Sequence, residues 1–319
     1  AHPNLVYILC GLATLYREQG RYTEVEPLYQ RALYTFDQTL DSVHPDMARP
    51  LYGLATLYWE QGRYTEAEPL FQRALAIFEQ TLDPAHPDIA RGLNGLAGLY
   101  TLQGKYVEAE PLYQRALRIF EQASGSMHPL VAHPLNNLAA VYREQGQYDQ
   151  AETLFQRALH IWEQALGAEH PLVAAALDNL AEVYCEQGQY EQAETLARRA
   201  LLIREQALGP EHSTVAYSLN NLAAVYREQG QYGQADSLAR RALLIREQQL
   251  GPEHLDTAES LYCLALLRQA QENSKEARSL FERALHIRTQ VLGPQHPQTR
   301  KISASLAELL RTKGKTESC

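Results

Sequence analysis

Between His128 and Leu166 the chain reads HPLVAHPLNNLAAVYREQGQYDQAETLFQRALHIWEQAL, and its apolar residues fall on two helical faces. Leu135, Leu138, Ala139 and Tyr142 recur at helical spacing, which predicts a helix from about Pro129 to Glu144. Gly146 follows, where a left-handed residue ends a helix at least cost. Ala151, Leu154, Phe155, Ala158, Leu159 and Ile161 make a second stripe and predict a helix from about Asp149 to Leu166. Asp149 and Glu152 have the spacing of a capping box at its start, as do Thr23/Glu26 and Thr65/Glu68 in earlier copies. Pro27, Pro69 and Pro111 fall near the first turn of second helices, where a missing amide is tolerated. Gly167 closes the second helix, and Gly209, Gly251 and Gly293 stand in the same place later.

This two-helix pattern recurs along the whole chain. His2, His44, His86, His128, His170, His212, His254 and His296 each follow the last by 42 residues. They mark the hairpin junctions, several as a His-Pro pair that opens the next first helix. A hairpin with one apolar side cannot bury it alone, but a stack of hairpins can. Alanines mark the close contacts, from Ala13 and Ala55 to Ala265 in first helices and from Ala32 and Ala74 to Ala284 in second helices. The prediction is an all-α protein, an α-solenoid of seven hairpins starting near residues 2, 44, 86, 128, 170, 212 and 254. A capping helix from about Gln298 to Arg311 would complete a single array over 1–311, with Lys301, Glu308 and Arg311 solvated and a polar tail over 312–319. In the seventh repeat Glu272-Asn273-Ser274 replaces Gly-x-Tyr, which leaves that turn without its glycine. The amino end has no evident cap. Leu5, Tyr7 and Ile8 would meet upstream repeats or a second copy, and the repeat frame already running at Ala1-His2-Pro3 predicts a longer parent protein.

The run N-L-A-x-x-Y-x-x-x-G-x-Y-x-x-A, at Asn137 to Ala151, resembles the tetratricopeptide repeat (TPR). The LNNLA, EQGQY and RALxIxEQxLG phrases resemble the 42-residue kinesin light chain type and the large bacterial TPR arrays that often adjoin a signalling NTPase domain. The resemblance implies a right-handed superhelix whose first helices line a concave groove, and it is far more specific for fold than for function.

Composition narrows the function classes. The formal net charge of −9 leaves no basic excess for nucleic acid. No apolar run reaches the ~20 residues of a membrane span. Cys10, Cys185, Cys263 and Cys319 form no C-x-x-C pair, which points to a reducing, cytoplasmic setting rather than a disulfide framework or zinc site. The periodic histidines invite a metal reading. Neighbouring copies should lie ~10 Å apart, whereas zinc needs ligands within ~2.3 Å, so a junction role is the better account. No nucleophile–base pair, phosphate loop or paired carboxylates appear. The expectation is a protein that is not an enzyme, with no cofactor and no metal. The tyrosine columns Tyr16 to Tyr226 and Tyr22 to Tyr232 read as packing.

Groove residues are those the packing columns leave free. Directly before the Leu-Ala pair stand Gly11, Gly53, Gly95, Asn137, Asn179, Asn221 and Cys263, and one place earlier Cys10, Tyr52, Asn94, Asn136, Asp178, Asn220 and Tyr262. An Asn amide offers both a donor and an acceptor, and the TPR resemblance implies a peptide-backbone clamp at Asn137, Asn179 and Asn221, flanked by Asn94, Asn136 and Asn220. The alternative is that these amides bond to a neighbouring helix or to water. Glycine inside a helix costs roughly 1 kcal/mol against alanine. Three in one column point to room for a guest beside Tyr7, Tyr52 and Trp59, or else to duplication of one unit. Arg17, Arg49, Arg91, Arg143 and Arg227 face the groove or its rim, and would suit an acidic peptide unless Glu18, Glu60, Glu144, Glu186 and Glu228 neutralise them.

The second helices divide too. One column reads Phe36, Phe78, Phe120, Trp162, then Arg204, Arg246, Arg288; its companion reads Tyr29, Phe71, Tyr113, Phe155, then Ala197, Ala239, Phe281. These aromatics either pack between hairpins or form an exposed strip that would mark an interface. The functional expectation is a scaffold binding a peptide or protein segment in the groove. Two others stand beside it: a sensor or autoinhibitory array of a larger signalling protein, and a module that self-associates through its bare amino end.

Overall fold

A computed structural model describes residues 3–18, 21–37 and 44–316. Within them fifteen α-helices follow one another, with no strand. The first helices of the hairpins are α1 (Pro3–Glu18), α3 (Ala48–Glu60), α5 (Pro87–Leu102), α7 (Pro129–Glu144), α9 (Pro171–Glu186), α11 (Val215–Glu228) and α13 (Leu255–Ala270). Their partners are α2 (Tyr22–Asp37), α4 (Tyr64–Thr81), α6 (Tyr106–Ser124), α8 (Tyr148–Leu166), α10 (Tyr190–Leu208), α12 (Tyr232–Leu250) and α14 (Ser274–Leu292). The capping helix α15 (Pro297–Thr316) runs on past Arg311, so its backbone includes much of the expected tail; Thr299, Ile302 and Leu309 are buried among its described side chains. Lys301, Glu308 and Arg311 are exposed. The side chains of His2, Glu18, Tyr22, Phe36 and Cys319 lie outside the described residues. No described helix is long and apolar enough to cross a membrane.

The chain packs as two compact units, residues 1–141 and 142–319. In the first, each helix from α1 to α6 packs on the next, and α3 also touches both α1 and α5. In the second, α8 to α15 pack in the same sequence, and α11 also touches both α9 and α13. The alanines of both helices are fully buried at these contacts, among them Ala55, Ala74, Ala181 and Ala200.

The repeating histidine is a helix cap. In His44, His86, His128, His170, His212, His254 and His296 the ring Nδ1 accepts the backbone N–H two residues on, at 3.1–3.3 Å. An amide that would otherwise be an orphan of the first turn is thereby satisfied. His170→Ala should cost about 0.5–2 kcal/mol, and His170→Asn, a good capping residue, should recover most of it. Chemical denaturation of the three proteins measures both values.

The turn glycine behaves as expected: Gly146 has φ +76°, and Glu272 takes the same place in the seventh hairpin at φ +62°. There Asn273 accepts from the Glu276 N–H and so caps α14, which holds the turn without its glycine. Gly167 ends α8 at φ +88°, ψ +156°, backbone open in practice only to glycine.

The expected capping boxes do not form. Helices α4 and α8 begin one residue early, at Tyr64 and Tyr148, and their cap residues Arg63 and Gln147 make no side-chain cap bond. Thr65 and Asp149 are already helical, and Pro69 lies in the helix interior rather than its first turn. The box carboxylates serve the next hairpin instead. Tyr58 Oη donates to Glu26 at 2.7 Å and Tyr184 Oη to Glu152 at 3.0 Å. An exposed cap bond is exchanged for one that ties two repeats together.

The aromatic columns pack between helices. Phe71, Phe78, Tyr113, Phe120, Phe155 and Trp162 are all buried, so there is no apolar strip on those residues. Where the column changes to arginine it stays buried: Arg204 is 7% exposed, Arg246 3% and Arg288 4%. The residue fourteen places downstream changes with it. Phe78 meets Gly92, while Arg204 donates to Ser218 Oγ at 2.8 Å and Arg246 to Ser260 Oγ at 3.1 Å. Arg204 also pairs with Asp178 at 2.6 Å. Arg288 faces the cap helix, where Ile302 stands at that place, and turns to Glu259. Burial, with repulsion from Arg246, pulls Arg288 down to about 10.

Candidate functional site on the first-helix face

In the first unit, α1, α3 and α5 bring their groove columns to one cavity of about 390 Å³, lined by Tyr7, Cys10, Arg17, Arg49, Tyr52 and Arg91 among others. Tyr7 Oη donates to Asp46 Oδ1 at 2.7 Å. The Arg49 guanidinium stands 5.9 Å from the centre of the Tyr7 ring. Arg91 is tied to Asp88, and Arg17 lies 4.0 Å from Glu60. Arg49 is exposed and forms no ion pair among the described residues, which makes it the open cation of the cavity. Tyr52 packs edge-on against Phe71. Burial pushes its hydroxyl up, against the pull of Arg91 and Arg17 facing it. Burial likewise pushes the Cys10 thiol up to about 11.

The glycine column holds the chain's own aromatics rather than a guest. A Cβ on Gly53 would stand 2.4 Å from the Tyr29 ring, and one on Gly95 would stand 2.9 Å from Phe71 and 3.0 Å from Tyr52. Only Gly11 of the three has open space beside it. Trp59 is half-buried and lies against the position of Gly98. In the same unit Asn137 donates to Asn94 at 3.4 Å, and Asn136 is half-buried.

In the second unit the expected clamp residues bond within the fold. Tyr217 Oη lies 3.2 Å from Asn179 Oδ1 and donates to Glu182 at 2.6 Å. Arg143 pairs with Glu182 and Glu144, and Arg227 with Glu228. Asn221 stands beside the Asp178 carboxyl and the Tyr217 hydroxyl, but its buried amide nitrogen makes no hydrogen bond. Asn220 is 5% exposed and donates to Ser260 Oγ at 2.9 Å, so it serves the interior rather than the groove. Burial pushes Asp178 up to about 6, even with Arg204, Ser218 and Asn221 beside it.

Structure thus brings Tyr7, Arg49, Tyr52 and Arg91 to one cavity and ties Asn179 and Arg143 into a network through Tyr217 and Glu182. The cavity aspartates Asp46 and Asp88 were not singled out in the sequence, although His-Pro-Asp at 44–46 and 86–88 marks them. Glu182 carries no periodic signal, because every other repeat holds a different residue in its column, and Tyr217 shares its column with Tyr7, Arg49 and Arg91 but was not singled out.

The Tetratricopeptide repeat profile matches overlapping stretches from residues 4–80 through 46–122, 88–159, 130–206, 172–248 and 214–288 to 256–318. The chain belongs to the tetratricopeptide repeat family. Among solved structures it is similar to BtubC (BKLC) from P. vanneervenii, at 25% identity and TM-score 0.56 over 74% of this chain and 92% of that one. It is also similar to a kinesin light chain protein of nearly identical TPR-like repeats from Podosopora anserina, at 29% identity and TM-score 0.53 over 65% and 98% of the two chains. NprR in complex with its cognate peptide NprX shares the fold, at 17% identity and TM-score 0.68 over 97% and 84%. No curated protein sequence matches the chain.

Proposed function

We propose that this TPR protein is a protein-interaction scaffold, and that it seats a peptide or protein segment against the first-helix face of its first unit. The observation that carries this reading is the cavity under Arg49. It has aromatic walls at Tyr7, Tyr52 and Tyr29, a cation with no ion partner among the described residues, and polar groups at its rim. A segment with an apolar side chain beside a carboxylate suits that set: the side chain would enter between the rings and the carboxylate would meet Arg49. The asparagine clamp has a second place in this reading. Asn94 and Asn137 extend the same face, whereas Asn179 must give up its contact with Tyr217 before it can hold a peptide backbone.

A peptide-display selection on the whole chain tests this, run beside Arg49→Ala/Arg91→Ala and Asn179→Ala/Asn221→Ala. Enrichment should be lost on the arginine pair, with affinity for the selected peptide reduced ~10-fold or more, and be kept on the asparagine pair. Loss on the asparagine pair alone would move the site to the second unit. Enrichment on all three would remove it from both faces.

A further inference from the structure

Two neighbouring hairpin junctions of the second unit bury the same arginine and serine and differ in their third group. Between α10 and α11, Arg204 donates to Ser218 Oγ at 2.8 Å, and the serine donates its own proton to Asp178 Oδ2 at 2.7 Å. Asp178 also pairs with Arg204, so these buried donors end on a buried carboxylate. Between α12 and α13, 42 residues further on, Arg246 donates to Ser260 Oγ at 3.1 Å. Asn220 stands in the place of Asp178 and acts as a donor: its Nδ2 reaches the same Ser260 oxygen at 2.9 Å.

Two donors thus converge on Ser260, and its hydroxyl proton meets no acceptor among the described residues. Arg246 Nε makes no hydrogen bond either, nor does Asn220 Oδ1. Turning the Asn220 amide would give the serine proton an acceptor but leave Nδ2 over, and neither orientation brings a negative charge. Arg246 is 3% exposed, and its other bond runs to the Asp256 carbonyl at 2.6 Å. The Asp256 carboxyl is turned to solvent beside His254, and Glu259 is held by Arg288. Of the other groups facing Arg246, Arg204 repels it, while Tyr217 and Cys263 are uncharged, burial holding the pKa of each up. Among the described residues this column sets the guanidiniums of Arg204, Arg246 and Arg288 against the carboxylates of Asp178 and Glu259 alone. A buried cation without a counter-ion is strongly destabilising.

We propose that a small monovalent anion, of chloride size, binds beside Arg246 and Ser260 and plays there the part that the Asp178 carboxylate plays one hairpin earlier. The Arg246 Nε–H and the Ser260 hydroxyl are the donors it takes. Two donors and one excess charge suit a halide, whereas a phosphate brings more oxygens than there are donors to meet. Arg246, Ser260 and Asn220 do not line the cavity under Arg49, so the inference stands apart from the groove reading.

Melting of the whole chain in increasing sodium chloride, with ionic strength held constant by sodium gluconate, tests this. Gluconate screens charge equally but is too large for the interior. The melting temperature should rise with chloride and saturate, by about 2 °C or more once the site is filled. Chloride NMR should show line broadening that bromide competes away. Asn220→Asp supplies the carboxylate, and should melt higher than the parent in gluconate and lose both responses. Arg246→Met removes the charge and should also lose both, which keeps the test decisive if the aspartate variant fails to fold. A melting temperature that follows ionic strength alone, or a chloride response that persists in Arg246→Met, overturns the proposal and leaves the Ser260 proton to water.

Discussion

Arg204→Ala should lower stability by about 3–5 kcal/mol at pH 8 and by less at pH 5, read from urea unfolding. The variant strips Asp178, which is 0% exposed, of its counter-ion. An ion pair at 2.6 Å and a carboxyl raised to about 6 are compatible, because full burial of both charges outweighs their attraction. Without Arg204 the carboxyl should rise further. Its folded value lies above the unfolded ~3.9, so its stabilising contribution is present below about pH 4 and is lost as pH rises through the folded value. The gap between variant and parent should therefore widen from pH 5 to pH 8. A gap that is flat over this range would mean that water reaches Asp178. Replacing the whole group, as Arg204→Trp, Ser218→Ala and Asp178→Asn, installs the residues of the Trp162–Ala176–Asn136 set and should match or exceed the parent.

Gly53→Ala and Gly11→Ala should move stability in opposite directions. Both remove a helix glycine, a gain of roughly 1 kcal/mol where there is room. At Gly11 no heavy atom stands within 4 Å of the new methyl group, and the gain should be realised. At Gly53 the methyl group would stand 2.4 Å from Tyr29, a ring 3% exposed that cannot swing aside. The forced shift of a packed ring should cost ~1–3 kcal/mol, leaving a net loss. Melting temperatures that rise for both would show that Tyr29 is loosely held.

Helical limits, hairpin order, the histidine junctions and the turn glycines were legible in the sequence, because each is set by local spacing repeated many times. Glu26 and Glu152 misled as capping residues because the bonds they make reach Tyr58 and Tyr184 in the next hairpin, which no local motif displays. Gly53 and Gly95 read as space for a guest because the rings that fill it, Tyr29 and Phe71, lie on another helix. The change from Trp162 to Arg204 was visible as a column, but its burial was not. The informative companion was the serine fourteen residues downstream, a pairing that acquires meaning only once the two helices touch. Candidate site residues were legible as columns, while which of them face a cavity and which bond within the fold depends on neighbours several repeats away.

The two interior chemistries bear on how such a chain finds its own order. Near-identical hairpins offer one another nearly the same face, so a folding chain can dock a hairpin one or more places out of turn, a recognised failure of repeat proteins. Arg204 set against Gly92 would bury a guanidinium with no hydroxyl to receive it. Phe78 set against Ser218 would leave that hydroxyl and Asp178 without their donors. Each misplaced pairing strands a charge or a polar group, at several times the thermal energy. The single change from ring to guanidinium after Trp162 thus works as a register key between the two groups of hairpins, rejecting neighbours from the wrong group before the stack closes.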